Sequence, residues 1–122
     1  MVLSWIQLAS LMMFLGVTLG AFGAHALKDK IPAHSLETFK TGIFYHIIHA
    51  LGLFIIAWLT SQSSDPKFHY AGLCFLTGIF LFSGSLYLLA ITELKSIGII
   101  TPLGGLCFLA GWFLIMHSKI NL

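Results

Sequence analysis

The stretch IFYHIIHALGLFIIAWLT, residues 43–60, decides the fold. It contains no Asp, Glu, Lys or Arg and ends beside Trp58. A helix in water keeps a polar face, and this run has none. Crossing the hydrocarbon core of a bilayer takes about 20 apolar residues. Three other runs meet the same test. Leu3 to Ala24 is uncharged, with Trp5 suited to the interface at its start. His69 to Thr92 is long enough to span with some tilt. Ile97 to Met116 ends near Trp112 and His117.

The composition agrees. The 122 residues are 58% hydrophobic and 8% charged, whereas a soluble domain carries about 25% charged residues. The net charge is +2, with no arginine, which gives no footprint for nucleic acid. Cys74 and Cys107 sit inside apolar runs at different depths, so they read as small buried side chains, without a disulfide. Ala24-His25-Ala26 resembles a signal-peptide cleavage site, but no Lys or Arg precedes the first run, and it exceeds the usual apolar core of a signal. A retained helix is expected.

Only helices and closed barrels satisfy their backbone in lipid, and these runs are too long and too evenly apolar for barrel strands. The expected fold is all-α: one domain, an antiparallel four-transmembrane-helix bundle with spans at about 3–26, 43–60, 67–92 and 98–117. Asp65-Pro66 reads as an N-cap followed by proline at the first helical position. Thr101-Pro102 repeats the pattern, leaving Ser96 to Ile100 as a turn. Between Ala33 and Gly42, Leu36, Phe39 and Ile43 recur at helical spacing among Glu37, Lys40 and Thr41. This predicts a short interfacial helical segment running into helix 2. Four spans put both termini on one side. Lys28, Lys30, Lys40 and Lys95 gather on the other, against Lys67 and Lys119, so the positive-inside rule leans toward termini outside.

Helices in lipid associate through close backbone approach. Gly16, Gly20, Gly23 and Ala24 form a small-residue stripe on helix 1, and Gly104 and Gly111 share a stripe on helix 4. Helix 1 is therefore expected to be central, within the bundle or at an oligomer contact.

Helix direction sends His25, Tyr45, His46, His49, Ser83, Ser85, Tyr87, Glu93 and Thr101 toward one membrane face, the one with four lysines. Polar groups within lipid tend to face the bundle interior and mark sites. His46 and His49 are three apart and share a helix face. They can serve structural hydrogen bonding, a small-ligand site, or metal, haem or proton transfer. The sequence shows no HExxH, no paired cysteines and no carboxylate cluster. No metal and no cofactor are expected, and no Ser/His/Asp set or phosphate loop can be read. His25, His46, His49 and Tyr87 are expected to converge inside the bundle.

Four strings carry a resemblance: Gly20-Ala21-Phe22-Gly23-Ala24-His25-Ala26-Leu27; Tyr45-His46 with His49-Ala50-Leu51; Phe82-Ser83-Gly84-Ser85-Leu86-Tyr87-Leu88-Leu89-Ala90; and Ile100-Thr101-Pro102-Leu103-Gly104-Gly105 with Leu109-Ala110-Gly111-Trp112. In that order they resemble the YgdD/YwdK-like family of small membrane proteins, a family of unknown function, over nearly the whole chain. The resemblance implies a multi-pass protein of the bacterial inner membrane. It supplies no activity, cofactor or catalytic residue. Ile91-Thr92-Glu93-Leu94-Lys95 departs from it, because a glycine-containing turn is expected there. The combined expectation is a non-enzymatic protein that binds a lipid, a quinone or a partner membrane protein, a second copy included, through its polar half. The alternative is a small redox, proton-transfer or transport component using His25, His46 and His49.

Overall fold

The computed structural model describes residues 2–120. Four helices account for most of them: α1 (Trp5–Leu27), α2 (Ala33–Gln62), α3 (Pro66–Thr92) and α4 (Lys95–Met116). Each is long and apolar enough to cross a membrane, and no strand occurs among the described residues. Gly16 lies against His46 and Ile47 while Gly23 lies against Phe39, so α1 and α2 run antiparallel. Gly111 against Phe75 and Gly104 against Phe82 show the same for α3 and α4. The protein is an all-α, antiparallel four-helix bundle.

Local chemistry starts the helices. Ser4 caps α1 in a reciprocal box: its hydroxyl accepts the Gln7 N–H at 3.3 Å, and the Gln7 side chain accepts the Ser4 N–H at 2.9 Å. Asp65 caps α3 ahead of Pro66. Thr101, expected to cap α4 in the same way, is its first α-helical residue. The chain arrives there through a tight 3-10 turn, Lys95–Ile99, with no side-chain cap. The threonine hydroxyl is used elsewhere, as described below.

The segment from Ala33 to Gly42 is helical and runs into α2 without a break. A 30-residue helix is about 45 Å long, half again the thickness of the hydrocarbon core. Its inward residues are Ser35, Phe39 and Gly42, packed toward the end of α3.

Within the bundle α1 is not the central helix. In their most apolar windows, α2 is 44% buried and α3 39%, against 17% for α1 and for α4. The two middle helices make the core, through Leu53, Ile56, Phe75 and Ile79, with Phe108 reaching in from α4. The glycine stripe of α1 sets it close against one flank of α2. The small side chain of Ala24 is only partly buried.

Two helices are not regular. α1 widens into a π-helical turn at Leu19–Gly23, and α3 does so at Ile79–Ser83. Each such turn inserts a residue and rotates everything beyond it relative to an unbroken helix.

Candidate functional site

His46 and His49 of α2 are buried and fully bonded, each in its own way. His46 Nε2 lies 2.7 Å from the Met12 carbonyl on α1, and its Nδ1 lies 2.8 Å from the Tyr87 hydroxyl on α3. A carbonyl only accepts, so Nε2 carries the proton. In the neutral ring Nδ1 then accepts from Tyr87. His49 has the opposite tautomer. Its Nδ1–H donates to the Tyr45 carbonyl at 2.8 Å, and its Nε2 accepts from the Trp112 indole N–H at 3.0 Å. The expectation that the histidines point toward one another is therefore corrected. His46 bridges α1, α2 and α3, while His49 turns to α4 and stacks on Phe108 with ring centroids 3.5 Å apart. All four ring nitrogens are in use, so neither imidazole can ligate a metal or haem without giving up a bond. No group of three His, Cys, Asp or Glu able to hold a metal occurs among the described residues.

His25 does not join them. It is exposed, two residues beyond the π-helical turn of α1. It lies about 200° around the helix axis from Gly23, whose face packs on Phe39. Tyr87 does point inward, with its ring against Gly42 and Phe39. Ser85 and Thr101 form a separate pair at 2.6 Å. Ser85 donates to the Phe82 carbonyl at 2.8 Å, which leaves Thr101 as the donor between the two hydroxyls. The Ser83 hydroxyl is fully buried without a partner in the protein, at the end of the π-helical turn of α3.

Two concavities flank these bonds in the same half of the bundle. The first, about 530 Å³, is a groove between α2 and α4, lined by Tyr45, His49, Phe82, Pro102, Phe108 and Trp112. The Tyr45 ring meets Phe82 at 4.5 Å and is partly exposed at its edge. The groove is apolar because His49 has already spent both nitrogens inside the protein. The second, about 420 Å³, lies where the start of α2 meets the end of α3. It is lined by His34, Ser35, Thr38, Leu89, Glu93 and Lys95. There the Ser35 hydroxyl donates to Glu93 Oε1 at 3.1 Å, and His34 Nε2 stands 3.8 Å from the same oxygen.

The polar residues named from the sequence thus separate into four local sets. His46 joins Tyr87, His49 and Tyr45 join the aromatic groove, Ser85 joins Thr101, and Glu93 sits in the polar cleft. The residues that sequence reasoning missed are Trp112, Met12, His34, Ser35 and Lys95. Trp112 stood in one of the quoted strings but was used only to mark the end of the fourth run. Nothing in a sequence marks the Met12 carbonyl, because every residue has one.

Comparison with known proteins places this arrangement in a family. The family described as "Protein of unknown function (DUF423)" matches residues 19–105. The chain belongs to the DUF423 family. The matched segment contains His46 and His49, the Ser85–Thr101 pair and Glu93. The UPF0382 membrane protein YwdK of Bacillus subtilis is 46% identical over 117 residues, covering 95% of each chain. The UPF0382 membrane protein SAB0533 of Staphylococcus aureus is 41% identical over 101 residues, 83% of this chain and 82% of that one. The UPF0382 inner membrane protein YgdD of Escherichia coli is 37% identical over 109 residues, 89% and 83% respectively. These names carry no enzymatic activity. No solved structure matches this DUF423 chain.

Proposed function

We propose that this protein is a non-enzymatic, multi-pass protein of the bacterial inner membrane that binds a membrane amphiphile. The apolar chain of the amphiphile would lie in the groove between α2 and α4. The observation that carries this reading is the groove itself. Its walls are the rings of Tyr45, Phe82, Phe108 and Trp112, and its volume of about 530 Å³ is in the range of small-molecule sites. The hydrogen bond from the Trp112 indole to His49 ties α4 to α2 beside the groove. A chain lying there would meet ring faces and methylenes and would strand no buried polar group.

Gly105 provides the test. It lines the groove, and a β-carbon there would stand 3.8 Å from the Phe82 ring, an ordinary contact. Gly105→Leu should fill the groove without moving the backbone. Native mass spectrometry after gentle detergent extraction should show a retained amphiphile on the wild-type protein. The variant should lose most of it at an unchanged Tm. Equal retention by both proteins would refute the groove as the site.

A further inference from the structure

The polar cleft at the end of α3 is built around a residue that two local preferences oppose. Glu93 closes α3 with φ at 57°, in the left-handed region that favours glycine. It also places a carboxylate at the negative end of a helix, where a cation is preferred. No lysine or arginine neutralises it. Its contacts are the Ser35 hydroxyl and, at 3.8 Å, the His34 ring, and its side chain is 52% exposed. Local conflict of this kind tends to collect where a chain serves a ligand. Lys95 lines the same cleft without forming an ion pair to Glu93. The lining of the cleft therefore includes a carboxylate, a lysine, an imidazole and the hydroxyl-bearing Ser35 and Thr38. The start of α2 forms the facing wall and has no side-chain cap, which adds to the positive side.

We infer that this cleft binds the headgroup of a glycerophospholipid bearing both a phosphodiester and a primary ammonium, that is, phosphoethanolamine chemistry. Glu93 takes the ammonium, and Lys95 with His34 takes the phosphate. The inference rests on the groove reading for its apolar part. On α2, residues 34 and 38 of the cleft and residues 45 and 49 of the groove fall within about 60° of one another around the helix axis. The helix rises about 16 Å from His34 to Tyr45, close to half of the roughly 30 Å hydrocarbon core. Headgroup in the cleft and chain in the groove thus match one leaflet. A purely anionic headgroup would meet Glu93 unfavourably. A quaternary ammonium has no N–H to give the carboxylate.

The test uses the whole protein in detergent, offered equal amounts of phosphatidylethanolamine, phosphatidylcholine and phosphatidylglycerol with identical acyl chains, and read by native mass spectrometry. The wild type should retain the ethanolamine lipid several-fold over the other two. Glu93→Gln should erase that preference, and Lys95→Gln should weaken retention of all three. Should Glu93→Gln fold poorly, Glu93→Gly removes the backbone conflict and the carboxylate together, and it should raise Tm while erasing the preference. Soluble phosphoethanolamine at millimolar concentration should leave the lipid adducts unchanged, and displacement by it would overturn the lipid assignment. Retention that depends on an open groove at Gly105 but is blind to headgroup would overturn this inference and leave the groove reading standing. No retained lipid at all would overturn both.

Discussion

Between α1 and α2, Gly16, Gly20 and Gly23 face the ends of side chains. β-Carbons at these positions would stand 3.1 Å from Ile47, 3.3 Å from Ile43 and 3.2 Å from Phe39. Between α3 and α4, a β-carbon at Gly104 would fall on the Phe82 backbone, and one at Gly78 would fall inside the Phe108 ring. At Gly20 the first seam rests on a side-chain end that can give by tenths of an ångström, whereas Gly16 also meets the bonded His46 ring at 3.3 Å. The second rests on backbone and on a ring that is itself held by the His49 stack. The spacing of small residues showed where helices could approach, but it carried no information about what stood opposite.

That difference is open to direct measurement. Gly104→Ala should cost about 3 kcal/mol, the upper end for overpacking, because a backbone cannot step aside without moving α3. Gly20→Ala should be close to neutral. Its methyl crowds only the Ile43 side chain, and alanine regains about 0.5–1 kcal/mol of helix preference. Thermal unfolding of both variants in the same mild detergent decides it. Equal losses would show that the two seams are equally hard.

A second, smaller contrast separates the histidines. His46 holds three helices together, whereas His49 holds α2 to α4 beside an open groove. His46→Leu strands the Tyr87 hydroxyl inside the bundle and should cost about 2 kcal/mol. His49→Leu frees the Trp112 N–H next to the groove and should cost about 1 kcal/mol. A double-mutant cycle of His46→Leu with Tyr87→Phe should give a coupling of about 0.6–1.7 kcal/mol, the range for hydrogen bonds between membrane helices. A coupling of zero would remove the His46–Tyr87 bond from the account of stability.

What the sequence revealed divides along the same physical line. Spans and one cap were legible because hydropathy and capping act over a few neighbouring residues: the uncharged run at 43–60 and Asp65 before Pro66. The depth of the polar residues was legible too, because helix direction alternates. Their partners were not. The π-helical turn in α1 carries no clear mark in Leu19 to Gly23, whereas the outward position of His25 follows from its place about 200° around the helix from Gly23, which packs on Phe39. Thr101 and Asp65 look alike before a proline, but only one caps, because Ser85 lies within reach of the other. Glu93 stood where a glycine-containing turn was expected, and its φ of 57° shows why glycine suits that position. The cleft it shares with His34 and Ser35 joins residues 58 or more positions apart, which no local pattern reports.

The smallest expected effect lies at the water-facing end of the α3–α4 seam and depends on pH. Asp65 stands outside the spans. Its Oδ2 accepts the backbone N–H of Lys119 at 2.8 Å, and its Oδ1 accepts that of Lys67 at 3.0 Å. The start of α3 is thus tied to the chain that leaves α4. The Lys119 N–H first, and then the Lys67 N–H, hold the carboxyl below its ordinary range. An aspartate in the unfolded chain titrates near about 3.9, so the folded value is the lower of the two. The stabilisation is therefore fully present above the unfolded value and is lost as pH falls through the folded one. Tm of the wild type should decline below about pH 4. Asp65→Asn should start lower at neutral pH and lack that component of the decline. The difference should be modest, because an ionic contact at the aqueous surface is screened by water and salt. Parallel pH profiles for the two proteins would mean that the tie from Asp65 to Lys119 contributes nothing, and that the α3–α4 seam is held by Gly104, Gly78 and their neighbours alone.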